Sequence, residues 1–404
     1  MVDMNIFFRN KRIYADWAAT SPLHREVKDA MTAARRIPAN PSSIYKEGVE
    51  ARKALQEYRE VCARTISVKS DEIIFTSGGT ESNNTIIHGV INTCLSSGAK
   101  PKDIHIVSTS IEHSSILEPL RMYMSRGIDV TFVNPDEDGI IKAEKVLAAI
   151  KPNTVLVSCM YANNEIGTIQ PISKIGSGIR KIRADRFREG EESDYPVFHV
   201  DACQAPLWLV CDMEGLRADA MTLDGHKMQG PKGVGALALR NGIEITPLLL
   251  GGGQEHGQRG TTESIELIAG FTKALQLAQK SREERSSQAI IMRNRFISLI
   301  KKHIPDALIN GSVERRLANN INISIPHLSD PEFAVIELDQ KGIACSTKSS
   351  CLKGEESSYV VESILGESGE SESWRARNTL RFTIDPDITD IEIGSIINAL
   401  KTLS

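Results

Sequence analysis

The chain has 404 residues, 41% of them hydrophobic and 25% charged, with a formal net charge of -4. This is the composition of a globular protein with room for a deep site, and the length predicts two or three domains, or one large and one small. The slight acidity argues against nucleic acid or an acidic membrane as direct partners, since both favour basic surfaces. Seven cysteines, an odd number with no CxxC pair, do not make a disulfide framework or a zinc module and predict reduced thiols in a cytosol-like compartment.

The start, MVDMNIFFRNKR, holds an apolar run only from Ile6 to Phe8, too short for a secretory leader. No run approaches the ~20 residues that cross a bilayer, so the expectation is a cytoplasmic chain with no membrane contact. Short β-rich runs then alternate with helical patterns. EIIFTS (72–77) reads as a strand, followed by a glycine turn and a helix from about Ser82. IHIVST (104–109) precedes the helical EHSSILEPLRMYMSRG, DVTFVN precedes KAEKVLAAI, and TVLVSCM precedes the polar loop YANNEIG. VFHVDA, ADAMTLD and GALALR continue the series. Strands interleaved with helices predict an α/β fold with a mainly parallel sheet.

After about residue 270 the pattern changes. A long charged helical stretch leads to the strands NNINISI and NTLRFTI, flanked by the helical EFAVIELDQKG and DIEIGSIINALKTL. The predicted division is a large α/β domain at 15–270, with 1–14 and 271–404 forming a smaller α+β domain. RADRFREGEESDYP (183–196) is charged and lacks an apolar face, so it reads as a solvated extension.

Three stretches carry chemistry. In FTSGGTESNN, Gly78, Gly79, Thr80 and a helix N-terminus describe a phosphate cup, although a glycine turn with a Thr or Ser cap has the same pattern. In FHVDACQA, Asp201 stands at a strand end, where a half-buried carboxylate can hold a protonated ring nitrogen or simply cap the next helix; Gln204 lies a turn further on. In TLDGHKMQGPKGVGAL, Lys227 follows a strand beside glycines and suits a Schiff base with an aldehyde cofactor, or a surface turn. A fourth stretch, CSTKSSCLKGEESS (345–358), sets Cys351 among small polar residues, although cysteine is usually buried.

Together with YADWAATSP, IEHSSIL, YANNEIGTIQP, GGGQEHGQRGTTES and NTLRFT, these stretches resemble the cysteine desulfurases in order and spacing, from about Tyr14 to the last helix. These are fold-type I pyridoxal-phosphate enzymes of the class V aminotransferase superfamily. The resemblance implies pyridoxal 5'-phosphate as cofactor, Lys227 as its Schiff-base lysine, Asp201 on the pyridine nitrogen and Gln204 on the ring hydroxyl. It implies His113 stacked on the ring and sharing proton transfer, Asn164 near cofactor and substrate, and Gly79, Thr80 and His226 on the phosphate. Thr262 is implied to reach the phosphate of a partner subunit, hence a homodimer, and Arg381 to clamp the substrate carboxylate. Cys351 matches the nucleophile that takes sulfur from L-cysteine, leaving alanine. Its persulfide passes to an acceptor protein, an iron–sulfur scaffold or a tRNA-thiolation protein. That task needs a mobile loop, which answers why a cysteine stands in so polar a stretch. Cys345 matches no nucleophile and reads as strand.

The match departs in places. Asp224 stands where many relatives have a phosphate-binding serine, and a carboxylate there repels a phosphate, so three outcomes are open: Asp224 turns away and caps a neighbouring turn, which is the favoured reading, it is protonated, or it bonds a phosphate oxygen through a water. Lys348 replaces a glycine, and the 183–196 segment has no obvious counterpart. Rival readings are a selenocysteine lyase or another class V enzyme, or a cofactor-free scaffold for a sulfur acceptor. A metal site at Cys345 and Cys351 lacks a second ligand pair, so no metal is expected.

Overall fold

The computed structural model describes residues 12–189, 195–328, 330–347, 357–366 and 373–403. β1 (Ile13–Tyr14) precedes α1 (Arg25–Ala34) and α2 (Lys46–Thr65). β2 (Ile73–Thr76) leads into α3 (Gly79–Ser96), β3 (His105–Thr109) into α4 (Ser114–Ser125), and β4 (Asp129–Val133) into α5 (Ala143–Ala148). β5 (Thr154–Met160) is followed by α6 (Ile172–Arg188), β6 (Val197–Asp201) by α7 (Met213–Leu216), and β7 (Ala220–Asp224) by β8 (Gly235–Leu239).

These strands form one seven-stranded sheet in the order β2-β8-β7-β6-β5-β3-β4. β4, β3, β5, β6 and β7 are parallel neighbours, and β8 runs antiparallel to both β7 and β2. Only β8 is therefore reversed, and the other strands deliver their carboxyl ends to one edge, where sheets of this kind bind ligands. The mainly parallel α/β sheet expected from the sequence is present. Every residue of β5, β6 and β7 is buried, as helices on both faces require.

α8 (Ile265–His303) is a 39-residue helix. Phe271, Leu275 and Ala278 from its first half pack in the core of the large sheet, whereas Phe296, Ile297 and Ile300 pack in a second core. The second core is built on β9 (Leu308–Ile309), β10 (Asn320–Ser324), α9 (Pro331–Gln340), β11 (Ile343–Ala344), β12 (Thr379–Thr383) and α12 (Asp390–Leu400). β12, β10 and β9 form an antiparallel sheet, and β11 pairs in parallel with β1. α10 (Tyr359–Leu365) and α11 (Ser373–Arg377) bury Val360, Ile364 and Ala376 in the first core instead. Among the described residues no helix is long and apolar enough to cross a membrane.

Two local expectations need correction. α3 starts at Gly79, before Ser82, because the Glu81 carboxylate accepts the Ser77 N–H at 2.8 Å and Ser82 Oγ meets Thr76 Oγ1 at 2.7 Å, which draws the glycine turn into the helix. Residues 183–188 are the last turns of α6, anchored on one side, with Ala184, Phe187 and Arg188 exposed as a solvated segment would be. Arg183 pairs with buried Asp219 and donates to Pro196 O at 3.1 Å, and Arg186 donates to Lys151 O at 2.8 Å. Residues 190–194 of that segment lie outside the described residues.

The loop between β8 and α8 is tied to the sheet by a buried ion pair. Arg59 donates through Nη1 and Nη2 to the Glu255 carboxylate at 2.8 and 2.7 Å, and the Phe75 N–H donates to the same carboxylate at 2.8 Å. Glu255 and His256 hold positive φ, 49° and 56°, a conformation L-residues adopt only when neighbours impose it. Removing one partner of such a pair strands a buried charge. Glu255→Ala is expected to lower the free energy of urea unfolding, followed by circular dichroism, by ~3 kcal/mol or more. A loss below ~1 kcal/mol would show that the pair does not hold this loop.

Candidate active site

A cavity of about 220 Å³ opens at the carboxyl edge of the large sheet. Gly79, Thr80, His113, Asn164, Asp201, Gln204, His226, Lys227 and Arg381 all line it, so most of the residues singled out in the sequence share one space. Thr262 is exposed and does not line it. Cys351 and Lys348 lie outside the described residues. Cys345 is buried in the second core, and burial pushes its thiol up to about 12, which does not suit a nucleophile.

Each strand end contributes one part. The β2–α3 turn places the Gly79 N–H and Thr80 at the helix N-terminus. A Cβ on Gly79 would meet Cys203 Sγ at 2.6 Å, so only glycine lets the backbone come this near. β6 ends in Asp201, whose Oδ2 accepts from Asn83 Nδ2 at 2.8 Å and whose Oδ1 accepts the Cys203 N–H at 3.0 Å. A carboxylate so held keeps one orientation. Burial and the neighbouring Asp201 push the Cys203 thiol well above its usual range, which does not suit a nucleophile. Beyond β7, a short turn places the Lys227 amine against the carbonyls of Ala18 and Ala19, at 2.6 and 2.8 Å. Gln204 Nε2 donates to the same Ala18 carbonyl at 3.1 Å.

His113 caps α4, and its Nδ1 accepts the Ser115 N–H at 3.1 Å, which leaves Nε2 to carry the ring hydrogen. Pro119 inside α4 has no N–H for the Ser115 carbonyl, and Asn84 of α3 donates to that carbonyl at 3.2 Å instead. The two helices that flank the cup are thereby linked. From β12, Arg381 reaches the cavity fully buried. It donates through Nη1 to Asn164 O at 3.0 Å and through Nη2 to Asp16 Oδ1 at 2.8 Å, while its Nε has no partner.

Asp224 corrects an expectation. It caps the turn after β7, but it does not turn away from the cavity. Its Oδ2 accepts the Gly79 N–H at 2.8 Å and lies 3.5 Å from His226 Nε2. Burial alone would raise its carboxyl, yet the bonds from His226 and Gly79 outweigh this and hold it below the usual carboxylate range. Asn83, Asp16 and Ser115, which the sequence reading gave no role, hold Asp201, Arg381 and His113 in place. Asp16 and Asn83 lie within YADWAATSP and FTSGGTESNN, but their partners are distant in sequence, so only the fold reveals the pairs.

Residues 13–393 match the family model described as aminotransferase class-V. A cysteine desulfurase IscS from Dictyoglomus turgidum is 37% identical over 404 residues, covering 98% of this chain and 96% of the relative. Among solved structures, a NifS-like protein superposes with a TM-score of 0.84 at 29% identity, covering 96% of this chain and 98% of its own. A structure of SspA in complex with cysteine gives a TM-score of 0.75 at 32% identity, covering 93% and 99%. The chain belongs to the class-V aminotransferase family and, within it, to the cysteine desulfurases of the IscS kind.

Behind the His113 cap, Glu112 is fully buried. Its Oε1 accepts from Thr109 Oγ1 at 2.7 Å and from the Met160 N–H at 2.9 Å, and Oε2 has no partner. Burial lifts its carboxyl from 4.5 to about 8, against those two bonds and with a further push from Asp201. The folded chain therefore keeps a proton that the unfolded chain releases at lower pH, and stability falls as pH rises from about 4.5 towards 8. Glu112→Gln removes that titration. Relative to this variant, the wild type is expected to lose up to ~1.4 kcal/mol of unfolding free energy per pH unit across this window. Parallel pH profiles would show that Glu112 is ionised in the fold.

Proposed function

We propose that the cavity holds pyridoxal 5'-phosphate on Lys227 and that the chain removes sulfur from L-cysteine, releasing alanine, with Cys351 as the thiol that carries the sulfur away. The observation that carries this reading is the meeting of the Lys227 amine, the fixed Asp201 carboxylate and the Arg381 fork in one buried cavity. The lining fits a polar guest. Asn83 Oδ1, Asn164 Oδ1, His226 Nδ1 and Arg381 Nε are buried without partners, and such atoms rarely stay so.

When bound, pyridoxal phosphate supplies an aldehyde for amines and a ring that accepts the electron pair released at the substrate Cα. Asp201, a carboxylate locked by two donors, would keep the ring nitrogen protonated. Gln204 would bond the ring hydroxyl, His113 would lie against the ring, and Gly79, Thr80 and His226 would hold the phosphate. Arg381 and Asn164 would bind the substrate carboxylate, a task that suits a planar guanidinium. Once off the Ala18 and Ala19 carbonyls, the Lys227 amine moves the Cα proton, with His113 beside it as donor through Nε2. Sulfur then passes to Cys351 as a persulfide and on to an acceptor protein, an iron–sulfur scaffold or a thiolation protein. Thr262, exposed and away from its own cavity, suits contact with a second copy in a homodimer. The described cysteines are unpaired thiols, which suits a reducing compartment such as the cytoplasm.

The test is Cys351→Ala in the chain loaded with pyridoxal phosphate. With an added thiol reductant to cleave the persulfide, sulfide release from L-cysteine is expected to fall by about 100-fold or more while the yellow Schiff-base absorbance remains. Unchanged sulfide release would remove Cys351 from the reaction, and a colourless wild type would remove the cofactor.

A further inference from the structure

Asp201 and Asp224 both line the cavity, and only Asp201 has a task in the proposed reaction. Asp224 sits in the cup at the start of α3. Its Oδ2 takes the Gly79 N–H at 2.8 Å and lies 3.5 Å from His226 Nε2, while Oδ1 takes the His226 N–H at 3.4 Å. The packing is close: a Cβ on Gly79 would stand 3.1 Å from Asp224 Oδ2. The Gly79 N–H and the His226 ring are the donors that a phosphate oxygen would use at this helix N-terminus. A carboxylate oxygen imitates a phosphate oxygen in charge and in accepting geometry, and one N–H cannot serve two anions well.

We propose that Asp224 sets the phosphate affinity of this site: its carboxylate competes with the cofactor's phosphate for the Gly79 N–H and the His226 ring, so the phosphorylated cofactor binds less tightly than it would in the same cup without that charge. The inference rests on the cofactor reading above. It makes Asp224 a specificity-determining residue, one that must leave Gly79 when a phosphate enters. Two other charges stand near the cup: Lys227 acts on the Asp224 carboxylate from a distance and Glu81 is paired. Lys227 is engaged with the Ala18 and Ala19 carbonyls, and Glu81, in the first turn of α3, is bound by Arg259 at 2.7 Å.

The experiment compares the full chain, stripped of cofactor, with Asp224→Ser and Asp224→Asn. Each is titrated with pyridoxal phosphate and separately with pyridoxal, which lacks the phosphate, and the Schiff-base absorbance is followed. Both variants are expected to bind pyridoxal phosphate about tenfold or more tightly than the wild type, with pyridoxal changing by less than about twofold. The near-isosteric asparagine variant carries the test if the serine variant melts early. Pyridoxal phosphate affinity that is unchanged or weaker in the variants, or an equal gain for both aldehydes, overturns the role of Asp224. Absence of the band with either aldehyde in the wild type and both variants overturns the cofactor reading itself, and the assignment with it.

Discussion

A charged side chain taken out of water must find a partner, and in this chain four such side chains are gathered in one cavity. Their partners mostly come from distant parts of the sequence. Lys227 rests on two backbone carbonyls, Asp224 on the Gly79 N–H, Asp201 on Asn83 and a backbone N–H, and Arg381 on Asp16 and the Asn164 carbonyl. Several of these partners are groups a ligand can replace or share. The same bonds that make burial tolerable keep each group oriented, so the cavity is organised before any guest enters it.

The sheet makes this gathering possible. Strands running one way bring the ends of β2, β6 and β7 to one edge, and each end carries a different group: a helix N-terminus, a carboxylate and a lysine. β12, from the second core, sends Arg381 across to them. α8 joins both cores along a single rigid element, so the arginine and the lysine are held by one framework. The segments on either side of Cys351 are also anchored near the cavity. Ser346 exchanges backbone bonds with Arg381, Ser358 donates to the buried Glu165 at 2.6 Å, and the Tyr359 hydroxyl donates to Glu112 O at 2.5 Å.

Much of the fold was legible in the sequence because fully buried strands leave short apolar runs between polar helices. The start of α3 was not, because it is set by the Glu81 side chain reaching back to Ser77, whereas the sequence shows only a pair of glycines. The charged turns of α6 read as solvated because Asp219, the partner of Arg183, comes later in the chain, in the bend before β7. Lys227, Asp201 and Arg381 were readable through resemblance, since their neighbours form long motifs. Asn83, Asp16 and Glu255 were not, because each works through a partner far away in sequence. The direction of Asp224 was misjudged by weighing only its repulsion for a phosphate and not the N–H groups that attract it.

The most direct measurement is to reduce the cofactor-loaded chain with borohydride, digest it, and locate the pyridoxyl adduct by mass spectrometry. The adduct belongs on the peptide that contains Lys227 and on no other. A modification on a different lysine, or none at all, would contradict the assignment of this cavity.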